Sequence, residues 1–158
     1  VVSGVTHNKK EAKVSVIGVP DVPGIAAKVF SLISDHNICV DMIIQNVGND
    51  GLNDLTFTIE KSDLPLVRKI EPDILEISGG KSIEANENIA KISVVGVGMR
   101  SHSGVASRMF RAMAEKSINI QMISTSEIKI SCVIDGDYTE LAVRALCEEF
   151  GLVDEPKP

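Results

Sequence analysis

Short β-branched runs alternate with amphipathic stripes along this chain, and the alternation occurs twice. Lys13 to Val19 (KVSVIGV) and Lys91 to Val97 (KISVVGV) both close on Gly-Val and read as strands. Pro23 to Ile33 (PGIAAKVFSLI) and Ser103 to Met113 (SGVASRMFRAM) read as helices. In the first helix Ile25, Val29, Phe30 and Ile33 fall at i, i+4, i+5 and i+8, one apolar stripe. Val105, Met109, Phe110 and Met113 repeat that stripe 80 residues later, with Gly104 in the place of Gly24. Asn37 to Ile43 (NICVDMI) and Ser117 to Ile123 (SINIQMI) repeat at the same shift. The strand-to-helix offset differs by two residues, so the first loop of the second copy is longer, GMRSHSG against PDVPG. Three aligned blocks in one order mark an internal repeat.

Each copy continues alike. Leu55 to Ile59 (LTFTI) and Ile130 to Ile134 (ISCVI) read as third strands, the first preceded by the hairpin signal Gly48 to Gly51 (GNDG). Second helices follow at Leu64 to Ile70 and at Thr139 to Phe150, where Leu141, Ala142, Ala145, Leu146 and Phe150 share a face and Gly151 suits a C-cap. The implied fold class is α+β: two ferredoxin-like βαββαβ units, antiparallel sheets with helices on one face. The first copy has a candidate fourth strand at Lys81 to Ala85, whereas the second ends in the polar GLVDEPKP. The unassigned apolar run Val1 to Val5 is therefore expected to complete the second sheet. That places residues 9–88 as one unit inserted between the pieces of another, 1–8 with 89–155.

Composition narrows the function. Aromatics are 3% with no Trp, so the core must be aliphatic, and the net charge of −6 disfavours a nucleic-acid binder or attraction to anionic membranes. An RNA-binding βαββαβ module also needs exposed sheet aromatics, and Phe57 is the one aromatic on a third strand. No apolar run approaches the ~20 residues that span a bilayer, and no signal pattern is visible. Cys39, Cys132 and Cys147 are odd in number and widely spaced, which suggests reduced thiols and a cytoplasmic location. His36 and Cys39 lack a second ligand pair, so no metal site is expected. No phosphate-cradling motif, nucleophile elbow or clustered acid–base set appears, and no catalytic residue is assigned.

The chemistry concentrates in the loop Gly18 to Gly24. Pro23 is pre-set for a turn, Gly24 lets a ligand approach the backbone, and the N–H groups of the helix start attract an anion such as an α-carboxylate. Asp21 can take an α-ammonium, and Gln45 and Asn46 can offer donors and acceptors to a side chain. The same residues can equally shape a turn and cap a helix. The polar run Ser124 to Glu127 is either a binding edge or the exposed part of a hairpin.

VIGVPDVPGIAAKVF…DMIIQNV together with VVGVGMRSHSGVASRMF…INIQMISTSEIKISCVI closely resembles the regulatory region of bacterial aspartate kinase, with its two ACT domains. GMRSHSGVA and QMISTSEIKIS are the most specific segments, and the resemblance covers essentially the whole chain. It implies either a separate β-subunit or the C-terminal part of an α-subunit, without the catalytic domain that uses ATP and Mg to phosphorylate aspartate; no cofactor is expected in this chain. It further implies side-by-side association of ACT units from two chains, with threonine, and lysine as a second effector, bound at the interfaces. By motif, Asp21, Val22, Pro23, Gly24, Ile25 and Ala26 would form one wall of a threonine site with Gln45. Asn119 and Ile120 would form the opposite wall. Around the pseudo-equivalent site Cys39, Val40 and Asp41 would face Ser126 and Glu127, near the Gly104 helix start. Two positions depart from the family pattern there: Cys39 replaces the usual Asn, and Ala106 a hydroxyl residue found in some relatives. The rival readings are an ACT regulator of another amino-acid biosynthetic enzyme, the RNA-binding module and a stand-alone enzyme.

Overall fold

The computed structural model describes residues 2–48, 50–99 and 102–152. Val1 of the N-terminal run, Asn49 of the GNDG turn, Arg100 and Ser101 of the longer loop, and the tail from residue 153 lie outside the described residues. The chain divides into two units. One takes residues 10–87, the other the described residues of 1–9 and 88–158.

In the first unit β2 (Glu11–Pro20), α1 (Ile25–Asp35), β3 (Val40–Val47) and β4 (Leu52–Glu60) follow one another. A 3-10 turn then leads to α2 (Leu64–Lys69), α3 (Glu71–Ser78) and β5 (Ser82–Asn86). The sheet order is β3-β4-β2-β5, with every neighbouring pair antiparallel. Val14, Val16, Leu55, Phe57 and Ile59 alternate onto one face and meet Val29, Ile33, Val67 and Ile74 of the helices. That burial of aliphatic surface is what holds the unit together. Phe57 is fully buried. Its ring stands edge-on to Phe30 at 5.5 Å, so it is a core residue and not a platform for bases.

The second helix extends beyond the segment read from the sequence. Leu64 to Ile70 holds α2, but a further helix, α3, follows at once. Pro72 explains both the break and its concealment. It sits in the first turn of α3, where its missing N–H costs nothing, but it has no donor for the Arg68 carbonyl and its ring would crowd that carbonyl, so α2 cannot run on through it and the stripe read from the sequence ends there. Ile70 is the joint, its N–H reaching back to the carbonyls of Leu66 and Val67 and its own carbonyl accepting from Ile74. Gly79, in the left-handed region, closes α3.

The other unit holds β1 (Val2–Asn8), β6 (Ile89–Gly96), α4 (Val105–Glu115), β7 (Met122–Thr125), β8 (Lys129–Asp135) and α5 (Thr139–Glu149). Its order is β1-β6-β8-β7, again antiparallel throughout. β1 thus occupies the edge beside β6 that β5 occupies beside β2 in the first unit. The two sheets share one topology with the chain cut at different points. Met109, Met113, Ile92, Cys132, Ile134 and Leu146 fill this core.

Both first helices end identically. Asn37 and Ser117 take φ of 59° and 58°, and the N–H groups of Ile38 and Ile118 return to the carbonyls of Ile33 and Met113. This is the six-to-one closure of a Schellman end. The runs NICVDMI and SINIQMI therefore begin in helix caps, and strand pairing starts only at Val40 and at Met122. No helix among the described residues is long and apolar enough to cross a membrane.

Candidate functional site

A cavity of about 230 Å³ opens where β2 hands over to α1 in the first unit. Asp21, Val22, Pro23, Gly24, Ile25, Ala26 and Gln45 all line it, joined by Val19, Pro20 and Leu55. Two local features build it. α1 starts from Gly24, whose φ of 93° places it in the left-handed region, and no side chain caps that end. The amides of the first turn consequently point outward at the start of the helix, where the macrodipole is positive. Gln45 enters from β3, paired with Leu55 of β4. Asn46, the next residue, pairs with Asp54 and does not line the cavity, because successive strand residues face opposite ways.

The loop carrying Asp21 is tied to the β3–β4 hairpin. The Asp21 N–H donates to the Gly51 carbonyl at 3.0 Å. The Asn53 side-chain amide donates to Asp21 Oδ1 at 3.2 Å. The Gly18 N–H donates to Asp54 Oδ1 at 3.1 Å. Asp21 itself is exposed. A carboxylate and a helix N-terminus in one small cavity are the two ends a zwitterion needs, one for its ammonium and one for its carboxylate.

Sequence reasoning passed over Asn53, Gly51 and Asp54. Gly51 reads only as the end of the GNDG hairpin signal, and Asn53 and Asp54 sit in the polar stretch just after it, where such residues look like ordinary turn formers. Only the alternation of β4, which puts Asn53 on the inward face with Leu55 and Phe57, marks it as unusual.

The remaining predicted site residues are distributed over both units. Cys39 is exposed just before β3, and Val40 and Asp41 open that strand. Asn119 and Ile120 lie in the link between α4 and β7 of the other unit. Ser126 and Glu127 form the tight turn between β7 and β8, in which Ser126 Oγ accepts from the N–H groups of Ile128 and Lys129. Ser124 and Thr125 end β7. No single unit gathers Cys39, Val40 and Asp41 with Ser126 and Glu127.

The helix start equivalent to Gly24 has its own cavity, about 460 Å³, but different chemistry. Gly104 repeats the left-handed φ, at 103°. His102, Ser103, Ser107, Arg108 and Arg111 line the space, and no carboxylate does among the described residues. Arg108 lies over Phe150 at 4.6 Å and donates to the Glu149 carbonyl at 2.6 Å. The repeat has therefore kept the left-handed glycine at the helix start, while no described residue lining this cavity supplies an anionic group.

Comparison with known proteins agrees with this architecture. ACT domain profiles match residues 14–77 and, separately, 92–150. The chain is 46% identical to a chain of the crystal structure of aspartokinase alpha and beta subunits, with a TM-score of 0.91, covering 96% of this chain and 100% of that one. The chain belongs to the aspartate kinase family. It corresponds to the family's tandem-ACT regulatory region. It is also 40% identical to the regulatory subunit of aspartate kinase from Thermus thermophilus in its ligand-free form, with a TM-score of 0.89, covering 94% of this chain and 98% of that one. The aspartate kinase of Pseudomonas fluorescens is 52% identical over 152 residues, which are 96% of this chain and 37% of that protein. The chain thus spans about 37% of the length of such full-length relatives.

Proposed function

We propose that this regulatory region senses threonine, with lysine as the second candidate effector, and transmits feedback inhibition to aspartate phosphorylation in lysine, threonine and methionine biosynthesis. The observation that carries the reading is the cavity shared by the Asp21 carboxylate and the amino end of α1. The α-carboxylate of the effector takes the amides at Ile25 and Ala26, its α-ammonium takes Asp21, and Gln45 meets its side chain. Asn119 and Ile120, from a partner chain, close the opposite wall. Cys39, Val40, Asp41, Ser126 and Glu127 surround the second site.

In this reading two chains associate through their ACT units, and the regulatory region acts on a catalytic α-subunit or domain that alone uses ATP and Mg. The location is the cytoplasm. Effector binding across an interface couples to quaternary packing because each ligand contacts both partners.

Calorimetry and thermal denaturation of the chain with L-threonine and L-lysine, separately and together, test the proposal. Threonine should give heat of binding, raise Tm and shift the sedimentation mass toward a dimer. At a hundredfold excess over Kd the stabilisation is about 2.7 kcal/mol. Asp21→Asn should weaken threonine at least tenfold with little change in the ligand-free Tm, since Asp21 is exposed. Neither heat nor a thermal shift at millimolar effector overturns the reading.

A further inference from the structure

Asn53 is a polar residue in an apolar position. It lies on β4 opposite Val19 of β2 and Val47 of β3, and it is 2% exposed. Its neighbours on the same face, Leu55, Phe57 and Ile59, are core residues. Its amide is used at one end only. Nδ2 donates to Asp21 Oδ1, while Oδ1 is buried with no hydrogen-bond partner among the described residues. Turning the amide over would set two acceptor oxygens against each other, so the unpaired acceptor is the direct consequence of giving Asp21 a donor. A buried acceptor without a partner is destabilising, and a leucine of similar size would avoid it. By the demands of packing alone, this position should be apolar.

What the amide does is hold the carboxylate. Asp21 is an exposed loop residue whose backbone N–H is anchored to Gly51 and whose Oδ1 is anchored to Asn53. Its Oδ2 has no partner among the described residues and belongs to a residue that lines the cavity. With one oxygen tethered from below, the carboxylate cannot rotate freely. A ligand then does not have to order it on binding, which is the general gain from preorganisation.

We infer that Asn53 is a positioning residue for ligand binding: buried beneath the site and touching no ligand, it orients the Asp21 carboxylate toward the ammonium of an α-amino acid. This rests on the reading of the cavity given under Proposed function. The residue's polarity serves the site and not the fold.

A double-mutant cycle separates this from a merely structural latch. Threonine affinity is read from the thermal shift of the 158-residue chain at rising L-threonine, for the native chain, Asn53→Leu, Asp21→Asn and the double variant. Asn53→Leu should leave the ligand-free Tm unchanged or raised and weaken threonine at least fivefold. In the Asp21→Asn background the same substitution should change affinity less than twofold, because the group it positions is gone. Asn53→Ala, which adds no bulk, carries the same comparison if the leucine variant does not fold. Equal weakening in both backgrounds, or no weakening in the native one, overturns the inference while leaving the site reading intact. An Asp21→Asn variant that binds threonine like the native chain overturns the site reading, and the role of Asn53 with it.

Discussion

The hydroxyls of Ser93 and Ser131 lie 2.7 Å apart across β6 and β8, both residues buried. The first unit repeats the pair as Ser15 and Thr56 at 2.9 Å across β2 and β4. Cross-strand hydroxyl pairs of this kind help fix strand register, because a slip by one residue would strand both groups. Replacing one partner leaves the other buried and unpaired, whereas replacing both removes the problem. Ser93→Ala and Ser131→Ala should each cost about 1–3 kcal/mol. The double variant should cost less than their sum by about 1 kcal/mol or more, a coupling that urea denaturation of the four proteins measures. Additive losses would mean the two hydroxyls do not support each other.

Gly24 is irreplaceable for a reason of backbone and not of space. A Cβ built there meets nothing within 4 Å, yet φ is 93°. Gly24→Ala should therefore cost about 1–3 kcal/mol through strain alone. The same holds at Gly104, where φ is 103° and the space is equally open. The two variants should differ in binding. Gly24→Ala displaces the helix start that faces Asp21 and should lower threonine affinity, whereas Gly104→Ala leaves the first cavity untouched. Parallel denaturation and thermal-shift titrations of both variants check the pair, and equal effects on binding would show that the first helix start has no special role.

Much of the fold was legible because its signals are local. The stripes of α1 and α4 and the strand cores β2 and β6 carry their apolar spacing within a dozen residues. The helix ends were not, since the runs after α1 and α4 look β-branched from Asn37 and Ser117 onward while those residues still belong to the caps. The break at Ile70 was hidden for a related reason: Pro72 interrupts the pattern although both flanking segments are helical. At the site, the loop Asp21 to Ala26 and Gln45 were readable from the motif, and they line one cavity. Asn53 was not, because its partner in space is 32 residues away and its burial depends on the whole sheet.

The caps give a prediction of their own. Ser117 pays for its left-handed φ of 58° with steric strain that Asn37, at 59°, tolerates better through its short amide. Ser117→Gly should raise stability by about 0.5–1 kcal/mol, the net of relieved strain over the greater freedom of an unfolded glycine. Asn37→Gly should gain less. A valine at either position should lose more than 1 kcal/mol, about the left-handed cost of a side chain. Thermal midpoints of the four variants rank these effects, and a destabilised Ser117→Gly would place the strain elsewhere.

Cys132 connects the core to alkaline stability. It is fully buried on β8, and burial pushes its thiol from the ordinary 9.0 up to about 12. Between these values the unfolded chain releases the proton and the folded chain keeps it, so ionisation favours unfolding. The contribution of this residue is intact below pH 9.0 and is lost progressively as pH rises toward about 12. The slope is at most about 1.4 kcal/mol per pH unit. Cys132→Val, apolar and close in size, removes the group without opening a large cavity. The stability difference between the native chain and Cys132→Val, measured by urea denaturation from pH 7 to 11, should stay flat to about pH 8.5 and then move in favour of the valine variant. A difference that stays flat through pH 11 would show that the thiol ionises alike in both states.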